Sequence, residues 1–320
     1  MKAIYAFKTF KEYEHYKPHD KTFYQIARLS VGITSKFYQT KLYCDRKSLE
    51  MFDYYGVKFD EVQILDEIEN YEGTITAMPK VIAMMEQTEP YILVDMDCIL
   101  LQKIPNVSTI QFGYPETHQI FLHSYLDDNL DNYVEYLNKY YKKPWNKYRD
   151  RFNDWFEVDP ESSPNNCVVV VNSPYMVREI YKDILSKFTD EELEDVGPMF
   201  IEQFLFHLYL KNYKVDTSYI HTSYSEFNHV DYRFTTTKLL HFLDFDTDST
   251  AEKIKYLSEI YDIDVESGNL PEVKEPEEES AEEPTEEVEE SEPNNLVKDS
   301  VGEIMDMLDQ LDDNKEEEKE

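Results

Sequence analysis

The sequence predicts an α/β domain with a mainly parallel sheet covered by helices on both faces, followed by an acidic tail. Three observations predict it. The runs Tyr91-Ile-Leu-Val94 and Cys167-Val-Val-Val-Val171 are wholly apolar and have the length of strands buried on both sides. Segments whose apolar residues recur at helical spacing separate such runs, the alternation that builds a parallel sheet. Charge is also uneven: residues 266–320 carry 23 acidic and 4 basic side chains, out of 67 and 32 in the whole 320-residue chain.

Taken in order, the opening Met1 to Phe10 reads as a first strand, its apolar stretch being too short for a secretory leader. Thr22 to Phe37 reads as a helix, Lys41 to Asp45 as a strand, Lys47 to Tyr55 as a helix stopped by Gly56, and Val62 to Leu65 as a strand. Met78 to Gln87 is expected to be helical, and Tyr91 to Asp97 is a buried strand ending in carboxylates. Then come a helix over Asp127 to Tyr141, a buried strand over Cys167 to Asn172, and helices over Tyr175 to Phe188 and Met199 to Leu210. These elements form one domain over residues 1–265. Residues 266–295 are rich in Glu, contain several prolines and lack aromatics, the composition of a disordered linker. Leu296, Val297, Val301, Ile304, Met305, Leu308 and Leu311 predict an amphipathic helix over 296–313. Its acidic background suits a groove on a protein partner better than anionic lipid. Residues 314–320 close the chain as a charged tail.

Composition excludes several function classes. A formal charge of −35 argues against nucleic acid as a partner. The 7 glycines include no two near neighbours, Gly56 and Gly73 being closest, so neither a dinucleotide fingerprint nor a Walker A loop exists. Cys44, Cys98 and Cys167 stand far apart in apolar runs, which gives no disulfide framework and no zinc knuckle and fits a reducing compartment. No apolar run is long enough for a membrane span, and a cytoplasmic location is expected.

The chemistry concentrates at Asp95-Met-Asp97. Two carboxylates directly after a buried apolar strand fall where ligands bind in parallel α/β sheets, outside the carboxyl ends of the strands. They repel one another unless a cation or proton intervenes, and hard oxygen ligands suit Mg2+ or Mn2+ held jointly with substrate phosphates. The structural alternative is a solvated strand-to-loop turn.

The surroundings of this pair carry a resemblance. The Lys41-Leu-Tyr-Cys-Asp45 strand end, the run Glu89-Pro-Tyr-Ile-Leu-Val-Asp-Met-Asp-Cys-Ile-Leu-Leu-Gln-Lys-Ile-Pro105, the strand Asn165-Asn-Cys-Val-Val-Val-Val-Asn172 and the helix carrying Glu202-Gln203 resemble GT-A glycosyltransferases. The likeness is greatest to the glycogenin-like and capsular-polysaccharide types and covers about residues 1–250. It implies a GT-A fold and a nucleotide-sugar donor, a UDP-sugar being favoured, with Mn2+ or Mg2+ bridging the donor diphosphate to Asp95 and Asp97. It also implies that Asn166 and Glu202 are catalytic, with Glu202 facing the donor sugar, that Lys80 contacts the donor phosphates, and that Asp45 holds the base or ribose; a strand cap for Asn166 and a first-turn glutamate favoured by the helix dipole for Glu202 are the structural alternatives. Cys167 stands where the family carries a glycine that lets the sugar approach the backbone. A third metal ligand is implied late in the domain. His241, in an apolar strand-like run, is the candidate, with His221 and His229 as competitors and a satisfied core histidine as the alternative.

Tyr5 and Phe7 are placed to stack on the base, although core packing explains them equally well. The acceptor is not identified by the sequence; Trp145, Tyr148, Trp155 and Phe156 are candidates for a sugar platform. Two other functions compete. Val94-Asp-Met-Asp-Cys-Ile-Leu100 approximates the nucleophile motif of haloacid-dehalogenase-type phosphatases, which normally lies on the first strand of its domain. A non-catalytic binding or scaffold protein on a transferase fold is the other.

Overall fold

The computed structural model describes residues 1–10, 21–116, 130–152, 156, 163–221, 237–242 and 248–267. The chain divides into two units, Met1–Val273 and Lys274–Glu320, and all that follows belongs to the first. Apart from Glu266 and Ser267, the expected linker, helix and charged tail lie outside the described residues.

Nine strands are described, β1 (Lys2–Phe7), β2 (Gln39–Cys44), β3 (Glu61–Ile64), β4 (Tyr91–Val94), β5 (Cys98–Leu100), β6 (Ile110–Glu116), β7 (Ser163–Val171), β8 (Thr217–Tyr219) and β9 (Leu239–His241). Seven of them make one sheet in the order β3-β2-β1-β4-β7-β6-β8, while β5 and β9 pair separately. The pairs β3·β2, β2·β1, β1·β4 and β6·β8 are parallel. Only β7 runs the other way, antiparallel to both β4 and β6. The sheet is thus mainly parallel, as expected, with one reversed strand that the sequence does not announce.

Burial on both faces explains the apolar runs. On β4, Tyr91 and Leu93 join one core cluster while Ile92 and Val94 join another; on β7, Val169 and Val171 face the first and Val168 and Val170 the second. Side chains alternate across a strand, so a strand buried twice must be apolar throughout. A third cluster joins the small β5·β9 sheet to helix α1 (Lys21–Thr34) and to a late helix, Asp248–Tyr261, through Ile26, Ile33, Ile99, Leu240, Ile254 and Leu257.

Helices α2 (Arg46–Tyr54), α3 (Asp66–Glu69) and α4 (Met78–Met85) precede β4. Then come α5 (Leu130–Leu137), α6 (Lys143–Tyr148), α7 (Pro174–Leu185), α8 (Asp190–Met199), α9 (Phe206–Asn212) and the late helix, α10. The helix expected over 199–210 is in fact a π-turn, Phe200–Leu205, continued by α9. Gly197 sets its direction: at φ 75°, ψ 173°, followed by Pro198, it breaks α8 and re-aims the chain.

The domain end is anchored slightly beyond residue 265. Glu266 pairs with Lys21 Nζ at 2.6 Å and accepts from Gln25 Nε2 at 2.6 Å, and the Ser267 carbonyl accepts from Arg28 Nη1 at 2.6 Å. Among the described residues no helix is long and apolar enough to cross a membrane.

Candidate active site

The order of strands changes direction at β1: β2 and β3 lie to one side, β4 to the other. In open α/β sheets the crevice at such a switch, outside the strand carboxyl ends, is where ligands bind. The Asp95–Asp97 turn leaves β4 at this place. Its backbone is fixed on three sides. Asp95 N donates to Cys167 O at 2.8 Å, Cys98 N to Asp95 O at 3.0 Å, and Phe242 N to Asp97 O at 2.9 Å. Ser30 Oγ, on α1, donates to the Cys98 carbonyl.

Three elements bring a cation and two carboxylates together. Lys80 Nζ, on α4, lies 2.8 Å from Asp95 Oδ2 and 3.3 Å from Glu202 Oε1. A lysine in the first turn of a helix opposes the helix dipole, so its position is explained by these partners and not by helix stability. Glu202 belongs to the π-turn, an irregularity that recurs at functional sites. Its backbone carbonyl accepts from Asn166 Nδ2 at 2.7 Å and from Tyr181 OH at 3.4 Å. Neighbouring Gln203 accepts from Tyr141 OH at 3.2 Å through Oε1. Burial raises the carboxyl of Glu202, with Lys80 opposing. Burial also pushes Asp95 up to about 8, the charges of Asp97 and Glu202 adding to it and Lys80 opposing.

Asp97 turns the other way, its Oδ2 lying 3.5 Å from His241 Nε2. Burial works against the charged form of Asp97, but His241 outweighs it and the carboxyl is held below its usual range. His241 Nδ1 is 2.9 Å from Tyr114 OH. Two polar atoms here are buried without a hydrogen-bond partner, Asp95 Oδ1 and Asn166 Oδ1. A buried carboxylate oxygen in that state is costly unless a cation satisfies it. Two carboxylates and an imidazole are chemically a donor set that Mn2+ accepts, but Asp95 and Asp97 point apart here, and among the described residues the ligand atoms gathered within 4.8 Å of one another are those of Cys98, Cys167 and His241.

The remaining candidates sit as follows. Asp45 is the N-cap of α2, accepting from Ser48 N at 3.1 Å, and is 6% exposed. Tyr5 is fully buried, edge-on to Phe59 with ring centroids 5.4 Å apart. Its OH lies 3.2 Å from Ser30 Oγ, the group that holds the Cys98 carbonyl. In this position Tyr5 offers no surface to a base; it supports the Asp95–Asp97 turn from below. Phe7 packs against Phe23 and Phe52. His221 is a core residue, its Nε2 accepting from Leu239 N at 3.3 Å, and His229 lies outside the described residues.

The aromatic platform is corrected. Tyr148 and Phe156 are buried, and Trp145 packs on the same core; Trp155 lies outside the described residues. The cysteines are also less separate than their spacing suggests. Cys98 and Cys167, on β5 and β7, come together beside His241, with ligand atoms within 4.8 Å of one another. Cys98 follows Asp97 directly and was in plain view, whereas nothing in the sequence points to Tyr114.

No family model matches the chain, and no curated protein matches it in sequence. Solved structures are similar to it at a distance. An active-site mutant of LgtC is 12% identical, with 81% of this chain and 96% of that chain covered and a TM-score of 0.40. The inositol-1-phosphate CTP transferase from T. maritima is 10% identical, with 81% and 96% covered and a TM-score of 0.39. The glycosyltransferase GlyE of Streptococcus pneumoniae is 10% identical, with 82% of this chain and 61% of that chain covered and a TM-score of 0.36.

Proposed function

We propose that this chain is a metal-dependent glycosyltransferase that moves a sugar from a nucleotide-diphosphate sugar, most simply a UDP-sugar, to an acceptor. One observation carries the reading: the carboxylate pair of Asp95 and Asp97 leaves the central strand at the switch of the sheet, with Lys80, Glu202 and His241 drawn to it from three other elements. A binding scaffold has no need of such a concentration of buried charge. The phosphatase alternative expects its aspartates on the first strand, and here they follow the fourth.

In this reading Asp95, Asp97 and His241 would hold Mn2+ or Mg2+. When bound, the cation supplies positive charge for the donor diphosphate as the leaving group develops. The chain's own residues do the rest. Lys80, a cation between two carboxylates, would meet a donor phosphate by exchanging carboxylate for phosphate oxygen. Glu202 presents a carboxylate to the sugar hydroxyls or to positive charge at the anomeric carbon. Asn166 donates its amide N–H to the Glu202 carbonyl, which fixes the π-turn that carries the carboxylate. Asp45 is engaged as a helix cap, so a role toward the base or ribose would fall to its remaining acceptor capacity.

The test is a panel of UDP-, GDP- and CDP-sugars incubated with the protein and Mn2+, with release of sugar and nucleotide followed against a chelated control. Release of one sugar in the Mn2+ arm alone is expected. Binding of nucleotide with no turnover of any sugar favours the scaffold, and release of phosphate from simple phosphomonoesters favours the phosphatase.

A further inference from the structure

A cluster of another chemical character lies beside the carboxylates. Cys98 opens β5, its Cα partner across the small sheet is His241 on β9, and Cys167 lies on β7. The two thiols and the imidazole each offer one ligand atom, and these atoms lie within 4.8 Å of one another. Both cysteines are free thiols and buried, at 0% and 2% exposure. The backbone makes room for this grouping: a Cβ on Gly113 would stand 2.9 Å from Cys167 Sγ, so β6 approaches that sulfur only because residue 113 is glycine. Asp97 Oδ2, 3.5 Å from His241 Nε2, places a carboxylate oxygen at the edge of the cluster.

We infer that Cys98, Cys167 and His241 form a binding site for a thiophilic divalent cation of the zinc class. Two thiolates and an imidazole are soft and borderline ligands. They select Zn2+ over the Mg2+ or Mn2+ that carboxylates prefer. Three protein ligands of the Cys2His type leave a fourth position open, which Asp97 or water can take. Such a cation would draw on the imidazole that the carboxylates otherwise use, so the occupant of one site bears on the other. The inference is independent of the transferase reading, since it needs neither a nucleotide nor a sugar.

The experiment uses the full chain, reduced and freed of metal, titrated with Co2+ alone and then with Zn2+. A near-ultraviolet thiolate-to-cobalt charge-transfer band is expected, together with the visible bands of tetrahedral cobalt. Both should saturate at one equivalent and be erased by Zn2+. Cys98→Ser and Cys167→Ser should each lower the charge-transfer band and weaken Zn2+ by more than the roughly 10- to 100-fold that loss of an outer-shell partner costs, and the double variant should lose the band. Cys44→Ser, which alters the third, separate thiol, should keep the band. A wild-type spectrum of octahedral cobalt without charge transfer overturns the inference whatever the variants do, as does a band lost only in Cys44→Ser. Calorimetry of UDP with Mn2+ on the same protein separates the two readings. A charge-transfer band without UDP binding upholds this site and counts against the transferase, and the reverse result does the opposite.

Discussion

Replacing Lys80 by methionine tests the electrostatics of the site most sharply, because one ammonium bridges two carboxylates. The side chains of Lys80, Asp95 and Glu202 are 22%, 18% and 5% exposed, so water can replace the lost cation only in part. Breaking a buried pair by deleting one partner costs about 3–5 kcal/mol, and the partial exposure here places the expected cost near the lower end, about 3 kcal/mol. At about 2–4 °C per kcal/mol for a domain of this size, the Tm of Lys80→Met should fall by roughly 6–12 °C. The deficit should depend on pH. A carboxyl whose folded value is raised binds its proton more tightly folded than unfolded, so its charged form detracts from stability as pH climbs from the unfolded value. For Asp95 that window runs from its ordinary value of 3.8 to about 8. The variant lacks the compensating cation, which raises the carboxyl further, so its deficit should change little while Asp95 is protonated in both proteins and widen as pH climbs past about 8. A divalent cation at the same carboxylates should restore what the ammonium supplied; at a hundredfold excess over Kd the gain is about 2.7 kcal/mol. Thermal melts of wild type and variant across pH, with and without Mn2+, read all three effects. A variant whose deficit does not widen above about pH 8, or that Mn2+ stabilises no more than wild type, would refute the reasoning.

Three further outcomes are expected. His241→Ala should weaken Mn2+ by about tenfold or more in a calorimetric titration, whereas His221→Ala, which alters a core residue, should lower the melt and leave Mn2+ affinity in place. Removing residues 274–320 should leave the melt of the first unit within about 2 °C of the full chain, because so acidic a segment, without aromatics, buries little apolar surface. Glu192 accepts from Arg151 Nη1 at 2.7 Å and from Thr189 N at 2.9 Å, and Arg151 with these bonds pulls its carboxyl down to about 2. A depressed carboxyl contributes stability above its unfolded value, and that contribution is lost as pH falls from about 4.5 toward 2. Glu192→Gln should therefore flatten the acid limb of the Tm–pH curve in that window, melting below wild type at pH 7 and converging with it near about pH 2.

The α/β class was legible because strands buried on two faces leave unbroken apolar runs, as at Tyr91–Val94 and Val168–Val171. The direction of β7 was not, since a run apolar on both sides reads the same parallel or antiparallel. Strand β6 escaped notice because Gly113 and Pro115 interrupt its pattern, and its pairing with β7 shifts register between Phe112 and Tyr114. Helix α8 was missed although Thr189 and Glu192 form a capping box, a signal that local spacing does carry. At the site, the aspartates stood out as an abrupt change of polarity. Lys80, Glu202 and His241 entered through the resemblance, but their grouping was not legible, because Lys80 and Glu202 meet across 122 residues, and Cys98, Cys167 and His241 meet only once β4 pairs with β7 and β5 with β9.

The most direct measurement of the central claim is a calorimetric titration of UDP into the wild-type protein and Asp97→Ala, each with Mn2+ and with chelator. Asp97 contacts His241 and caps no helix, and its removal relieves repulsion from Asp95, so the variant should keep the wild-type circular dichroism. The account predicts that wild type binds UDP with Mn2+ and loses at least about tenfold in affinity with chelator, and that the folded variant binds equally weakly in both. Equal UDP affinity in wild type and variant, or binding that ignores Mn2+, would contradict it.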